Sequence, residues 1–357
     1  FPTRRSSDLV KFIDDCVGHR RGSMAIVCVI VACFFGAISG SNPATVAAIG
    51  GITAPRMIQK GYPPEKAAAI AASSGTLGVV IPPSIPMVTY AVTASVSIIS
   101  MFEAGWVPGI MLILGLCIAN AIMCKKYDSV DTTKYPAKTY LIRFKDAFLA
   151  LLMPVIILGG IYSGLFTPTE AAAVAVFYGI IVSAAVYRNV DWKSFKKILY
   201  DSASSTASIL FLVANAHIFS YLLSSEQIPQ KLALFMTSLT TNPTAIMFMI
   251  MIVLLIAGCF LDNAVAVILL TPIFVTVVQA LNIDICYFGV FLVFVLAIGQ
   301  VTPPVGLCLF VACDIGKVTI ENISKEVIPY IVGLVVVAIL LVFFPQIIMW
   351  LPSLTGL

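Results

Sequence analysis

The sequence predicts an all-α protein embedded in a membrane. Three observations carry that: a composition too apolar for water, apolar runs along nearly the whole chain, and basic residues gathered in short stretches between them. Sixty per cent of the residues are hydrophobic and 11% are charged, and the mean hydropathy is strongly positive. A soluble domain usually carries about 25% charged residues.

The apolar runs cover residues 24–38, 105–123, 147–166, 171–187, 202–223, 245–260, 264–281, 286–298 and 327–350. A helix needs roughly 20 apolar residues to cross the hydrocarbon core. Several runs meet that length; others are shorter and come as closely spaced pairs. The formal charge of +4 gives no reason to expect a nucleic-acid partner, because the basic residues lie in loops between apolar runs. Nine cysteines raise the question of zinc or disulfides. Cys28, Cys33, Cys117, Cys259, Cys286, Cys308 and Cys313 lie in or beside apolar segments with no Cys-x-x-Cys spacing, and read as small buried hydrophobes. The opening residues 1–9 (Phe1-Pro-Thr-Arg-Arg-Ser-Ser-Asp-Leu9) resemble a translated adapter fragment. They are set aside from fold reasoning, with the expectation that one or two earlier membrane segments precede residue 10.

Positive charge marks cytoplasmic loops. The clusters are Lys11, Arg20 and Arg21; Lys125, Lys126, Lys134, Lys138, Arg143 and Lys145; and Arg188, Lys193, Lys196 and Lys197. On that basis residues 10–123 form a first half, with a hairpin at 24–54, a broken helix at 67–100 and a span at 105–123. Residues 124–146 are a basic cytoplasmic loop, and 147–201 are scaffold helices with their cytoplasmic link. A second half, 202–326, holds a hairpin at 243–281 and a broken helix at 286–313. Residues 327–357 form the last scaffold span. The first hairpin returns to Arg56, Lys60 and Lys66, which read as cytoplasmic, while no Lys or Arg stands between Lys231 and Lys317. One hairpin therefore enters from inside and the other from outside. Limbs of roughly 12–15 apolar residues around Ser39-Gly-Ser-Asn-Pro-Ala-Thr45 favour re-entrant hairpins.

Gly78-Val-Val-Ile-Pro-Pro83 aligns with Gly299-Gln-Val-Thr-Pro-Pro304. Upstream of each is a small-polar tip, with Gly258-Cys-Phe-Leu-Asp-Asn263 in the second unit, and then a limb expected to end at Ala54-Pro55 or Thr271-Pro272. Inverted units with paired helix breaks point to a secondary transporter whose site lies near the bilayer midplane. Proline removes an amide hydrogen and clashes with the preceding turn, leaving carbonyls that are costly in hydrocarbon unless something satisfies them. A dehydrated sodium ion can do so. The candidate cation ligands are Ser39, Ser41, Asn42, Gly78 and Val80 in the first unit, and Gly258, Asp262, Asn263, Gly299 and Thr302 in the second. Half-helix N-termini offer positive dipole ends to an anion. The candidate substrate contacts are Asn42, Thr45, Pro82, Pro83, Ser84, Pro303, Pro304 and Gly306.

At these residues, and at Gly61-Tyr62, Gly164-Leu-Phe-Thr-Pro-Thr-Glu-Ala171, Ala104-Gly105 and Pro108-Gly109, the chain resembles the large membrane subunit of TRAP (tripartite ATP-independent periplasmic) transporters. The likeness runs from about residue 20 to the C-terminus. It implies an inverted-repeat, ion-transporter-type fold of elevator type in a bacterial inner membrane, and a sodium symporter with no organic cofactor or transition metal. It also implies two protein partners, a periplasmic substrate-binding protein and a small four-helix membrane subunit. The substrate it implies is a small organic anion of the C4-dicarboxylate, sugar-acid or 2-oxo-acid class.

Among isolated polar residues, Asp262 stands deep in an apolar hairpin and reads as a functional group. His217, beside Asn215, reads as a packing histidine. Glu170 follows Thr167 and Thr169, either of which suits an N-cap. Trp106, Trp192 and Trp350 read as interfacial anchors, and Arg56 as a topology determinant. A membrane enzyme would need a nucleophile with a base or a metal set, and two histidines without His-Glu-x-x-His provide neither. The remaining alternatives are a binding-protein-independent anion symporter of similar architecture, and a channel.

Overall fold

The structure, a computed structural model, describes residues 10, 12–14, 16, 22–127, 137–187 and 190–355, and every regular element among them is a helix. Residues 1–9, Lys11, Arg20, Arg21, Lys134 and Arg188 lie outside the described residues, as do the side chains of Lys138, Arg143, Lys145 and His217.

Helix α1 (Ser23–Ser39) stops at Gly40, whose φ of 61° is left-handed and whose N–H returns to the Gly36 carbonyl, a glycine C-cap. Ser41 is extended, and α2 (residues 42–59) starts at once with proline in its first turn, where a missing N–H is harmless. α2 consists of Asn42–Thr45, a π-helical turn Val46–Gly50, and Gly51–Gln59. The expectation that each returning limb ends at proline is corrected here. Pro55 lies inside Gly51–Gln59, and Pro272 inside Asn263–Ala280. Proline disrupts only the bond to the turn before it. In α2 the π turn just upstream has already opened that ladder, so the helix runs on. The limbs also outlast their apolar stretches: Ser23–Ser39 has 17 residues.

The chain continues through α3 (Pro64–Gly75) and α4 (Leu77–Val80). It then leaves the helix at Ile81, which is extended, and passes a cis Pro82-Pro83 bond. α5 (Ile85–Ala94) restarts behind Ser84, whose hydroxyl accepts from the Met87 N–H, and α6 (Ile98–Met123) follows. Next come α7 (Ala137–Tyr162) and α8 (Pro168–Ile181). Between them Thr167 and Glu170 form a reciprocal capping box, so Thr167 rather than Thr169 is the cap. Asp191 accepts from the Ser194 N–H at 3.0 Å ahead of α9 (Trp192–Ser225). Its hydrogen bonding to Ser194 holds its carboxyl below the usual range.

After α10 (Ile228–Leu239), the helices α11 (Pro243–Phe260) and α12 (Asn263–Ala280) form the second hairpin. Asp262 N-caps α12. α13 (Ile285–Gly299) leads to a second break with a cis Pro303-Pro304 bond. α14 (Leu307–Gly316), α15 (Ile320–Phe343) and α16 (Gln346–Thr355) complete the described chain.

α13 is the centre of the molecule. Every residue from Cys286 to Gly299 is buried, and the helix packs against α11, α12, α5, α6 and α15. The Tyr90 hydroxyl of α5 reaches its first carbonyl, at Ile285, over 2.8 Å. Helix association in lipid depends on close van der Waals fit rather than on expelling water, which suits so densely enclosed a rod. α8 and α9 lie at the periphery: Val176 is 61% and Phe177 68% exposed. By length and composition six helical stretches suit a membrane crossing: Pro64–Ala94, Ile98–Met123, Pro168–Val186, Pro243–Phe260, Asn263–Ala280 and Ile320–Phe343.

Among the described residues two charged ones are buried. Glu103 sits inside α6 and accepts from the Thr355 hydroxyl at 2.7 Å. Lys66 of α3 lies 3.0 Å from Glu326 and 5.1 Å from the Tyr330 ring centroid. Its long stem lets the ammonium reach both partners while the methylenes stay in apolar surroundings.

Candidate functional site at the paired helix breaks

Each hairpin tip is stitched to the diproline break that follows it. In the first half the Ile85 N–H donates to the Gly40 carbonyl at 3.4 Å; in the second the Gly306 N–H donates to the Cys259 carbonyl at 2.9 Å. Each tip also needs glycine at the contact. A β-carbon on Gly78 would fall 2.6 Å from both the Ser41 carbonyl oxygen and Thr45 Oγ1, and one on Gly299 would fall 2.5 Å from Gly258 Cα. Both helices are interrupted at their diprolines, and α4 packs against α13, so the two breaks lie together.

The residues expected to bind a cation fall into three groups. Ser39, Ser41 and Thr45 hold the first tip to itself: Ser39 Oγ lies 2.9 Å from Thr45 Oγ1, which donates to the Ser41 carbonyl at 2.8 Å. Thr302 spends its hydroxyl on the Ile298 carbonyl, while Gly78, Gly258 and Gly299 serve as contact points without side chains. Val80 is buried with its carbonyl against Gly105 of α6. Asn42, Asp262 and Asn263 are the third group, and they carry the polar chemistry of the tips.

Asn42 and Asn263 are the first residues of α2 and α12, and both are buried. Asn42 Oδ1 has no hydrogen-bond partner among the described residues, and neither end of the Asn263 amide has one. A buried polar group left unpaired costs about 1–3 kcal/mol. These oxygens are therefore fit ligands for a cation that sheds its water. Asp262 accepts from the Ala264 N–H at 3.0 Å through Oδ1.

Of the residues expected to meet substrate, Pro82 and Ser84 are buried, Pro83 and Pro303 half-buried, and Pro304 exposed. Gly306 has a left-handed φ of 58°, which lets its N–H turn back to the second tip. Sequence reasoning missed Gln300 as a side chain of interest. It is fully buried, it accepts from Asn42 Nδ2 at 2.9 Å, and it donates to Asp262 Oδ2 at 3.3 Å. The one signal available was a lone amide inside an otherwise apolar Gly-x-Val-x-Pro-Pro motif. Thr271, whose buried hydroxyl also lacks a partner among the described residues, was noted only as the residue before Pro272. Among the described residues no group of three or more His, Cys, Asp or Glu side chains could hold a metal ion.

Residues 3–347 match the family described as the tripartite ATP-independent periplasmic transporter, DctM component. A C4-dicarboxylate TRAP transporter large permease protein of Pseudomonas aeruginosa is 40% identical over 98% of this chain and 82% of its own length. The isethionate TRAP transporter permease protein of Oleidesulfovibrio alaskensis is 41% identical over 96% of this chain, which spans only 54% of that longer relative. The sialic acid TRAP transporter large permease protein of Vibrio cholerae is 34% identical over 97% of this chain and 81% of its own length. These relatives are transporter permeases, not enzymes, and the family resides in the inner membrane. The chain belongs to the DctM family, the large permease subunits of TRAP transporters.

Proposed function

We propose that this permease couples sodium entry to the uptake of a small organic anion received from a periplasmic binding protein. One observation supports the reading above all. Two buried amides, Asn42 and Asn263, begin the returning limbs of two hairpins and hold acceptor oxygens that no described protein group satisfies. A partly dehydrated sodium ion takes oxygen ligands of this kind, and adjacent broken-helix carbonyls complete its shell. The helix starts behind the diprolines then face the substrate's anionic group.

In the same reading the hairpins are re-entrant and enter from opposite faces. They move with the broken helices as an elevator against peripheral helices that include α7, α8 and α9. The exposed apolar faces of α8 and α9 suit lipid and a small membrane subunit. Similarity to permeases named for C4-dicarboxylate, isethionate and sialic acid suggests a small polar body bearing a carboxylate or sulfonate.

The test is uptake into liposomes containing the full-length permease and its small subunit, with binding protein outside and an inward sodium gradient. Saturable uptake that needs both sodium and the binding protein is expected. Equal uptake in choline would remove sodium coupling. Uptake without the binding protein would favour a self-sufficient symporter, and flux that never saturates would favour a channel.

A further inference from the structure

We infer that Gln300 is a positioning residue that transmits the acceptor character of Asp262, in one hairpin, to the Asn42 amide in the other. The inference rests on the sodium reading above and deepens it.

Three hydrogen bonds share one direction. A carboxylate has acceptors only. Asp262 Oδ1 takes the Ala264 N–H at 3.0 Å, and Oδ2 lies 3.3 Å from Gln300 Nε2. Gln300 must therefore turn its NH2 toward Asp262, because the opposite orientation would set oxygen against oxygen with no hydrogen between them. That fixes Gln300 Oε1 on the other side, where it accepts from Asn42 Nδ2 at 2.9 Å. The Cys308 thiol lies 3.8 Å from the same oxygen, a second donor suited to an acceptor there. With Nδ2 held by Gln300, Asn42 turns its Oδ1 away from that bond, and Oδ1 is the buried atom without a described partner.

The consequence is specific. A free amide oxygen attracts a cation, whereas a free amide NH2 repels one. Nothing local to the first hairpin decides which end is free. The decision comes from a carboxylate in the second hairpin, through a glutamine 258 positions away from Asn42. Gln300 has no exposed surface, so water does not compete for its amide, and in low-dielectric surroundings the three groups polarise one another. The two half-sites thus share one hydrogen-bond direction.

The experiment is sodium-dependent thermal stabilisation of the full-length permease in detergent, with choline chloride holding ionic strength constant. Gln300→Leu removes both bonds, and Gln300→Met serves equally where Gln300→Leu fails to accumulate. Asp262→Asn keeps the shape but lets the amide chain reverse. Each change is expected to raise the half-saturating sodium concentration about tenfold or more. Neither should raise it further in an Asn42→Ala background, because Asn42 is the route through which they act. A merely structural role would lower the midpoint in choline while leaving half-saturation unchanged, and that result overturns the inference. Full additivity with Asn42→Ala overturns it too. A wild-type protein that sodium does not stabilise overturns the sodium reading and this inference together. A wild-type response matched by Gln300→Leu and Asp262→Asn overturns the inference alone.

Discussion

The two halves of this permease repeat a backbone but not a chemistry. Each has a hairpin whose tip is sewn to the following diproline break, and each brings the tip to that break through glycine. The first tip is neutral, closed by Ser39, Ser41 and Thr45 bonding among themselves. The second is capped by a carboxylate, Asp262, and there the Asn263 amide has no partner among the described residues. Among those residues Asn42 is anchored at one end and Asn263 at neither. The difference teaches that one backbone plan is used twice, while the side chains tie down the asparagine of the first tip and not that of the second.

The most damaging way to break this comparison is steric. Gly299→Ala places a methyl group against backbone at Gly258, which cannot step aside, so accumulation in membranes and uptake should both be lost. Gly78→Ala meets the Ser41 carbonyl and the Thr45 hydroxyl. The Ser41 carbonyl is backbone and yields no more than Gly258 does, so accumulation and uptake should fall here too. Quantitative immunoblotting beside transport assays separates the two.

A smaller and more informative effect comes from the asparagines. Asn263→Ala removes an unpaired amide, so the sodium-free protein should hold or gain stability, by up to about 1–3 kcal/mol, while losing transport. Asn42→Ala instead takes the short donor from Gln300 Oε1, leaving it only the Cys308 thiol at 3.8 Å, and should lower the sodium-free melting midpoint. Opposite signs in a thermal melt are the expected outcome; equal losses would mean that the two asparagines are equivalent. The smallest effect lies far from both halves. Thr167→Ala removes the N-cap of α8, which costs about 1 kcal/mol, and should shift the melting midpoint slightly without changing the sodium concentration needed for half-maximal uptake.

What the sequence disclosed followed from local rules. Diprolines beside glycine mark helix breaks, small polar runs mark tips, and Thr167 and Thr169 before Glu170 mark a helix start, though only the structure chooses Thr167 as its cap. Readings that assumed a local rule with no tertiary override failed. Pro55 and Pro272 looked like limb ends, yet the helices pass through them, because a π turn and lateral packing accommodate what an isolated helix would not. The partners of Glu103 and Lys66 were equally out of sight: Thr355 bonds the first and Glu326 pairs with the second. Those partners are 252 and 260 positions away along the chain. Gln300 was illegible for the same reason: its role depends on two side chains brought together only by folding.

The enclosed rod from Cys286 to Gly299 has a consequence for how the protein ages and moves. From Phe288 onward the segment shows no face to lipid or solvent, so amide exchange there should report global opening rather than local fraying. Cys286, at its less enclosed end, keeps 8% of its surface and should react with thiol reagents before the fully buried Cys28 and Cys308.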